Sequence, residues 1–255
     1  MKVGIVGLGH VGSAMHELFT QAVLYDEPKE IGTRGEINAC DVAFLCVPTP
    51  MKEDGSCDTS AVDYCISWMT PGTIVIRSTV PVGYTRKKAG ETGKRIVFQP
   101  EYYGETPNHP LADLRKRTWI TLGGDAESIE EVRRAYETVY NSTVEVRVSD
   151  SDTAELAKYM ENAFLAAKVT FFNEFYEIAQ AMHVDYDKAK ELFLMDPRMN
   201  RSHTAVYKDD RGYGGSCLPK DMASIIYQAE QLGADCGLLR SIRDRNSRFR
   251  ELNRK

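Results

Sequence analysis

Through residue 148 the chain alternates short apolar runs with longer stretches in which apolar residues recur every three or four positions. The runs at 3–6, 22–25, 42–47, 73–77, 95–98, 118–122 and 144–148 have the length and branched-aliphatic content of strands. Between them, 11–20, 59–69, 85–91 and 126–140 carry a helical period. Strands alternating with helices predict a mostly parallel sheet covered on both faces, a Rossmann-type α/β fold. The connection from Asp26 to Asp41 can hold only a clipped crossover, so the sheet is expected to be trimmed. After Ser149 the pattern changes. Asp150-Ser151-Asp152-Thr153 supplies helix N-caps, and no proline follows until Pro197. One long helix is predicted over 153–182 and another over 186–194. A polar, glycine-rich loop spans 197–217, and helices are predicted over 219–232 and 238–252. Two domains are expected, 1–148 and an all-helical 149–255.

Charge narrows the partners. The 32 basic and 37 acidic residues leave a net charge of −5, which weighs against a nucleic-acid or membrane-surface binder. No apolar run reaches the roughly 18 residues of a membrane helix. The chain opens on an apolar strand rather than a leader, so a cytoplasmic protein is expected. Cysteines stand at 40, 46, 57, 65, 217 and 236, without C-x-x-C spacing or a neighbouring histidine pair. No metal site is expected from them. The stretch from Leu238 to Lys255 is basic, with seven cations against Asp244 and Glu251. It reads either as a solvated face or tail, or as a surface for an anionic ligand or partner.

The first candidate chemistry is Gly7-Leu8-Gly9-His10-Val11-Gly12, between a predicted strand and a predicted helix. In that context the first glycine allows a tight turn, the second admits a pyrophosphate, and the third lets helix pack on strand. Asp26 lies nineteen residues after Gly7, where a carboxylate binds a ribose hydroxyl and favours NAD. Lys29 and Arg34 nearby leave NADP open. Pro48-Thr49-Pro50, Ser78-Thr79-Val80-Pro81 and Gln99-Pro100-Glu101 each follow a strand, at the sheet edge where ligands bind. Lys158 and Asn162 share a face of the long helix and form a pair able to stabilise an alkoxide. By itself, however, a helical lysine reads as surface. The most specific stretch is Gly212-Tyr213-Gly214-Gly215-Ser216-Cys217-Leu218-Pro219-Lys220-Asp221. A cysteine at a helix start, beside a lysine and one turn from a carboxylate, is the setting of an activated thiol nucleophile.

Together these segments resemble the nucleotide-sugar 6-dehydrogenase family, which includes UDP-glucose and GDP-mannose dehydrogenases. Glu155-Leu156-Ala157-Lys158-Tyr159, Asn173-Glu174 and Asp196-Pro197-Arg198 add to the likeness, which runs from residue 1 to about 250. The resemblance implies a four-electron oxidation of a C6 alcohol to an acid with NAD. Cys217 would form a thiohemiacetal and then a thioester. Lys158 and Asn162 would stabilise oxyanions, Asp221 and Thr79 would manage protons, and Glu101 would assist hydrolysis. Gly7, Gly9, His10, Val11, Gly12, Asp26, Pro48, Thr49, Ser78, Glu105 and Lys220 are implied at the cofactor. Tyr103, Arg198, Lys208, Gly212 and Gly214 are implied at the sugar nucleotide, with Arg198 reaching a neighbouring subunit of a homodimer.

There are departures from the family pattern. Gln99 stands for the usual Asn, Tyr102-Tyr103-Gly104 replaces apolar residues, and the loop from Arg198 to Cys217 is longer than usual. The family's C-terminal nucleotide-holding domain is not expected here. That keeps three further readings open: a β-hydroxyacid-type two-electron dehydrogenase, a truncated binding module, or half of a split enzyme whose nucleotide-binding partner is a separate chain.

Overall fold

The computed structural model describes residues 1–103, 111, 113–140 and 144–253. Seven strands form one sheet: β1 (Val3–Val6), β2 (Val23–Tyr25), β3 (Val42–Leu45), β4 (Thr73–Ile76), β5 (Ile96–Phe98), β6 (Trp119–Gly123) and β7 (Glu145–Ser149). Their order is β2-β1-β3-β4-β5-β6-β7. β1 to β5 are mutually parallel, β6 runs antiparallel to β5, and β7 is parallel to β6. The central strands are buried at every position, as helices on both faces require. α1 (His10–Leu18) and α5 (Ala126–Glu137) close one face over Ile5, Phe44, Val75 and Val97. α2 (Arg34–Asn38), α3 (Ser60–Trp68) and α4 (Tyr84–Thr92) close the other over Val6, Leu45, Ile76 and Phe98.

The trimmed crossover has a visible consequence. Only the five-residue α2 separates β2 from β3, and β3 pairs with β1 on its far side. Among the described residues no strand therefore lies outside β2, which becomes the sheet edge. A full doubly wound sheet places another strand there.

The chain divides into two compact units, residues 1–50 with 57–158 and residues 51–56 with 159–255. The division falls inside α6 (Ser151–Ala181), a helix of 31 residues and about 46 Å, rather than ahead of it at residue 149. The first turns of α6 pack on the sheet: a Cβ added at Gly123 would lie 2.6 Å from that of Ala154. The second unit holds the rest of α6, α7 (Tyr186–Phe193), α8 (Leu218–Gln231) and α9 (Gly237–Leu252). Ala163, Ala166, Tyr213, Met222, Ile226 and Ile242 form its core. Among the described residues no helix is long and apolar enough to cross a membrane.

Candidate active site

In the first unit, Gly7 leaves β1 with φ +86°, and a Cβ there would lie 2.8 Å from the Cys46 carbonyl oxygen. At Gly12 an added Cβ would fall 1.8 Å from the Gly7 carbonyl oxygen, so only glycine lets α1 sit this close. Gly9 is different, because nothing lies within 4 Å of where its Cβ would be. It is also the N-cap of α1 and provides no side-chain cap, the kind of helix start that takes a phosphate. Asp26, 8% exposed, accepts from the N–H of Leu8 (2.7 Å) and of Lys29 (3.1 Å) and keeps further lone pairs for a ribose. This cradle fits a dinucleotide. Lys29 donates from Nζ to the Leu8 carbonyl (2.5 Å), and Arg34 is paired with Glu27 (2.9 Å), which leaves the carboxylate to decide for NAD.

Other expected residues fall around this cradle in more specific ways. Val11 is half-buried in α1, and the His10 ring meets Tyr103 at 4.6 Å. The structure thus places Tyr103 beside the glycine turn. Ser78 Oγ donates to the Val47 carbonyl (2.5 Å), and Thr49 Oγ1 donates to the Thr79 carbonyl (2.8 Å). Both hydroxyl protons tie the end of β3 to the end of β4. The Thr79 side chain is half-buried, while Pro48 is exposed. Glu105 lies outside the described residues.

Glu101 is not a solvated loop carboxylate. Arg77 donates to its Oε2, while Arg117 (3.3 Å) and the Tyr103 N–H donate to Oε1. Sequence reasoning missed both arginines. The available signal was Arg77 itself, a charge at the end of an otherwise apolar strand run. Lys158 is buried at 7% exposure, with Nζ 4.6 Å from the Tyr102 ring centroid. The surface reading of this lysine is therefore overturned, because the face of α6 that carries it packs inward. One turn earlier, Glu155 is fully buried and accepts from the N–H groups of Gly83 (2.6 Å) and Thr85 (2.9 Å). Burial pushes its carboxyl up to about 7, against the lowering effect of those bonds.

In the second unit, Asn162 and Asp221 are buried, and Asn162 Nδ2 donates to Asp221 Oδ2. Lys220 Nζ donates to the other oxygen. Lys220, implied at the cofactor, is thus engaged with Asp221. Cys217 is exposed at the N-cap of α8, and its carbonyl accepts from the Asp221 N–H at 3.0 Å. Leu218 opens the helix, one residue before the predicted start, and Pro219 takes its second position, where a missing N–H costs no helical bond. A bond of 3.0 Å between the Tyr159 hydroxyl and Ser224 Oγ holds α6 to α8. Arg198 is exposed and folded onto Asp196, Nε lying 3.0 Å from both carboxylate oxygens, and Lys208 is exposed. An added Cβ at Gly212 would meet Asn246 Oδ1 at 2.4 Å, and one at Gly214 would meet the Arg250 guanidinium at 3.3 Å. Both glycines lie close against α9. The basic helix proves largely paired: Arg240 with Glu230 and Asp235, Arg243 with Asp244, Arg245 with Glu177, and Arg250 with Asp210.

Sheet, glycine turn and strand-end aspartate define a dinucleotide-binding chain of the Rossmann class, joined to a helical unit bearing a thiol and a buried carboxylate. Its relatives make this narrower. Residues 29–144 match the NAD binding domain of the UDP-glucose/GDP-mannose dehydrogenase family, and residues 152–248 match the central domain. The chain belongs to that family. It is 32% identical over 229 residues to the UDP-glucose 6-dehydrogenase of Pseudomonas aeruginosa, covering 83% of this chain and 49% of that protein. It is 32% identical over 237 residues to the GDP-mannose 6-dehydrogenase of the same organism, covering 81% and 51%. A UDP-glucose dehydrogenase structure from Pyrobaculum islandicum superposes with TM-score 0.82 at 26% identity, covering 96% of this chain and 68% of the other. The Mycobacterium tuberculosis 3-hydroxyisobutyrate dehydrogenase shares the fold with TM-score 0.72 at 15% identity, covering 97% and 93%. The chain thus spans about half the length of the curated relatives it matches.

Proposed function

We propose that the chain is an NAD-dependent dehydrogenase that oxidises the C6 alcohol of a nucleotide sugar, UDP-glucose or a relative, to the acid. The observation that carries this reading is the Asn162–Asp221–Lys220 cluster, its amide and carboxylate buried, at the head of the helix that Cys217 caps. Bound NAD would accept one hydride in each of two oxidations. In the first, the alcohol loses its proton to a base and becomes an aldehyde, with Lys158 and Asn162 stabilising the alkoxide. An aldehyde cannot release hydride until a nucleophile adds, and the Cys217 thiolate adds to give a thiohemiacetal. Loss of its hydride gives a thioester. Water then displaces the thiol and leaves the carboxylate, with Asp221 and Thr79 relaying protons. Glu101 is the candidate for activating that water. Two of its three donors share Oε1, so Oε2 keeps a lone pair with which to accept from that water.

The partners follow from the same reading. The chain acts as a homodimer, because α6 leaves Met160, Phe164, Phe171 and Phe175 on its surface at 47–64% exposure. Arg198 would serve the partner subunit's substrate. A separate nucleotide-binding chain is a further candidate partner.

The test is the yield of NADH from each of a panel of UDP- and GDP-sugars. Two NADH per substrate are expected, and Cys217→Ser should stall before the acid is released. A yield of one would overturn the four-electron route. It would favour the second reading, a two-electron β-hydroxyacid dehydrogenase, a class whose 3-hydroxyisobutyrate member shares this fold. That reading has no use for the thiol, so Cys217→Ala would keep activity under it.

A further inference from the structure

The backbone just ahead of Cys217 is held by side-chain amides rather than by a strand. The Arg211 N–H donates to Asn253 Oδ1 (2.7 Å), and Asn253 Nδ2 donates back to the Arg211 carbonyl (3.0 Å). Two residues on, the Tyr213 N–H donates to Asn246 Oδ1 (2.7 Å), and Asn246 Nδ2 donates to the Tyr213 carbonyl (3.0 Å). Each carboxamide thus pairs with one residue in both directions, as a neighbouring strand would. The N–H between them, that of Gly212, is taken by Asn173 Oδ1 from α6 (3.1 Å). Asn246 and Asn253 stand seven residues apart, two helical turns, so both project from one side of the end of α9.

The packing agrees with the hydrogen bonds. Gly212 has φ +78° and leaves no room for a side chain beside Asn246 and Phe249. The Arg211 guanidinium sits over the Phe249 ring at 5.2 Å and donates from Nε to Asn173 Oδ1 (2.7 Å). Asn246, Asn173 and Arg211 are all at least nine-tenths buried. After this held segment come Gly214, against the Arg250 guanidinium of α9, Gly215, with φ +77° and open space around it, then Ser216 and Cys217.

From this we infer that Asn246 and Asn253 are positioning residues: their paired amide bonds fix the Arg211–Tyr213 backbone, and through it the place of Cys217 at the head of α8. The inference deepens the reading of Cys217 as nucleophile and rests on it for its catalytic consequence. An asparagine is suited to the task because its amide carries donor and acceptor side by side, like a peptide. Aspartate lacks the donor, and alanine lacks both. A basic helix that the charge pattern leaves as a tail or a docking surface thus becomes part of the site's frame.

The experiment uses the full chain with Asn253→Ala, at the half-buried end of α9, and Asn246→Ala as the stronger change. Three readouts are compared with the unaltered protein: amide hydrogen exchange at Arg211–Tyr213, the rate of Cys217 alkylation by iodoacetamide, and kcat against KM for NAD. Expected are exchange roughly tenfold faster and an alkylation rate changed by at least about threefold. A kcat lowered roughly tenfold is expected with KM for NAD within about twofold. Protected amides with unchanged alkylation in a folded Asn253→Ala variant would overturn the proposal, as would faster exchange with kcat unaltered. Should Asn246→Ala fail to fold, Asn253→Ala decides. Should the unaltered chain oxidise no nucleotide sugar, the dehydrogenase reading fails on its own, and exchange with alkylation still decides whether the two amides set the thiol.

Discussion

Two glycines in this chain answer to different constraints. At Gly9 an added side chain meets nothing within 4 Å, and φ is an ordinary −72°. Gly9→Val should therefore leave folding within about 1 kcal/mol of the parent in urea denaturation. It should weaken NAD binding at least about tenfold by calorimetry, because the side chain enters the space the pyrophosphate needs. At Gly212 the constraint is internal. The left-handed backbone and the 2.4 Å approach to Asn246 Oδ1 together predict that Gly212→Ala costs roughly 2–4 kcal/mol in the same assay. Both residues read alike in the sequence, as glycines in functional-looking loops. The motif context at 7–12 was enough to place Gly9, since strand, helix and Asp26 surround it in order. Nothing local distinguishes Gly212, whose neighbour in space is thirty-four residues away in α9.

Helices here take their roles from what lies across from them. The start of α4 is capped in trans by Glu155 of α6, which joins the loop after Ser78 to the turn that carries Lys158. A carboxyl pushed up to about 7 by burial binds its proton more tightly in the folded chain than in the unfolded one. Its contribution to stability is present below the ordinary value near 4.5 and is lost as pH rises through about 7. Over that window the loss amounts to about 3 kcal/mol. Glu155→Gln should flatten this part of the stability profile, read from urea midpoints between pH 4 and 8. A slope unchanged by the substitution would show that another group sets it. Spacing alone put Lys158 and Asn162 on one helix face. It could not show that the face is buried, because the residues covering it come from distant parts of the chain. The same holds for α9, whose arginines form a basic run in sequence and a set of ion pairs in space.

On the scale of the whole molecule, the apolar positions left exposed along α6 carry the dimer proposal. Phe164→Glu should shift sedimentation equilibrium toward the monomer, since a charge on an apolar contact surface must be desolvated for the dimer to form. A parent chain that sediments as a monomer would remove the proposal. The alternation of strands and helices, the glycine fingerprint, the strand-end aspartate and the ordered run of short motifs were settled by sequence alone. They determined the sheet, the cofactor and the family, because each depends on residues close together along the chain. The tertiary structure decided the edge position of β2 and the division inside α6. It also decided the burial of Lys158, the two arginines around Glu101, and the amides that hold the Cys217 loop. Each of these arises where segments far apart in sequence meet, and a periodic pattern carries no record of which side chain will face which.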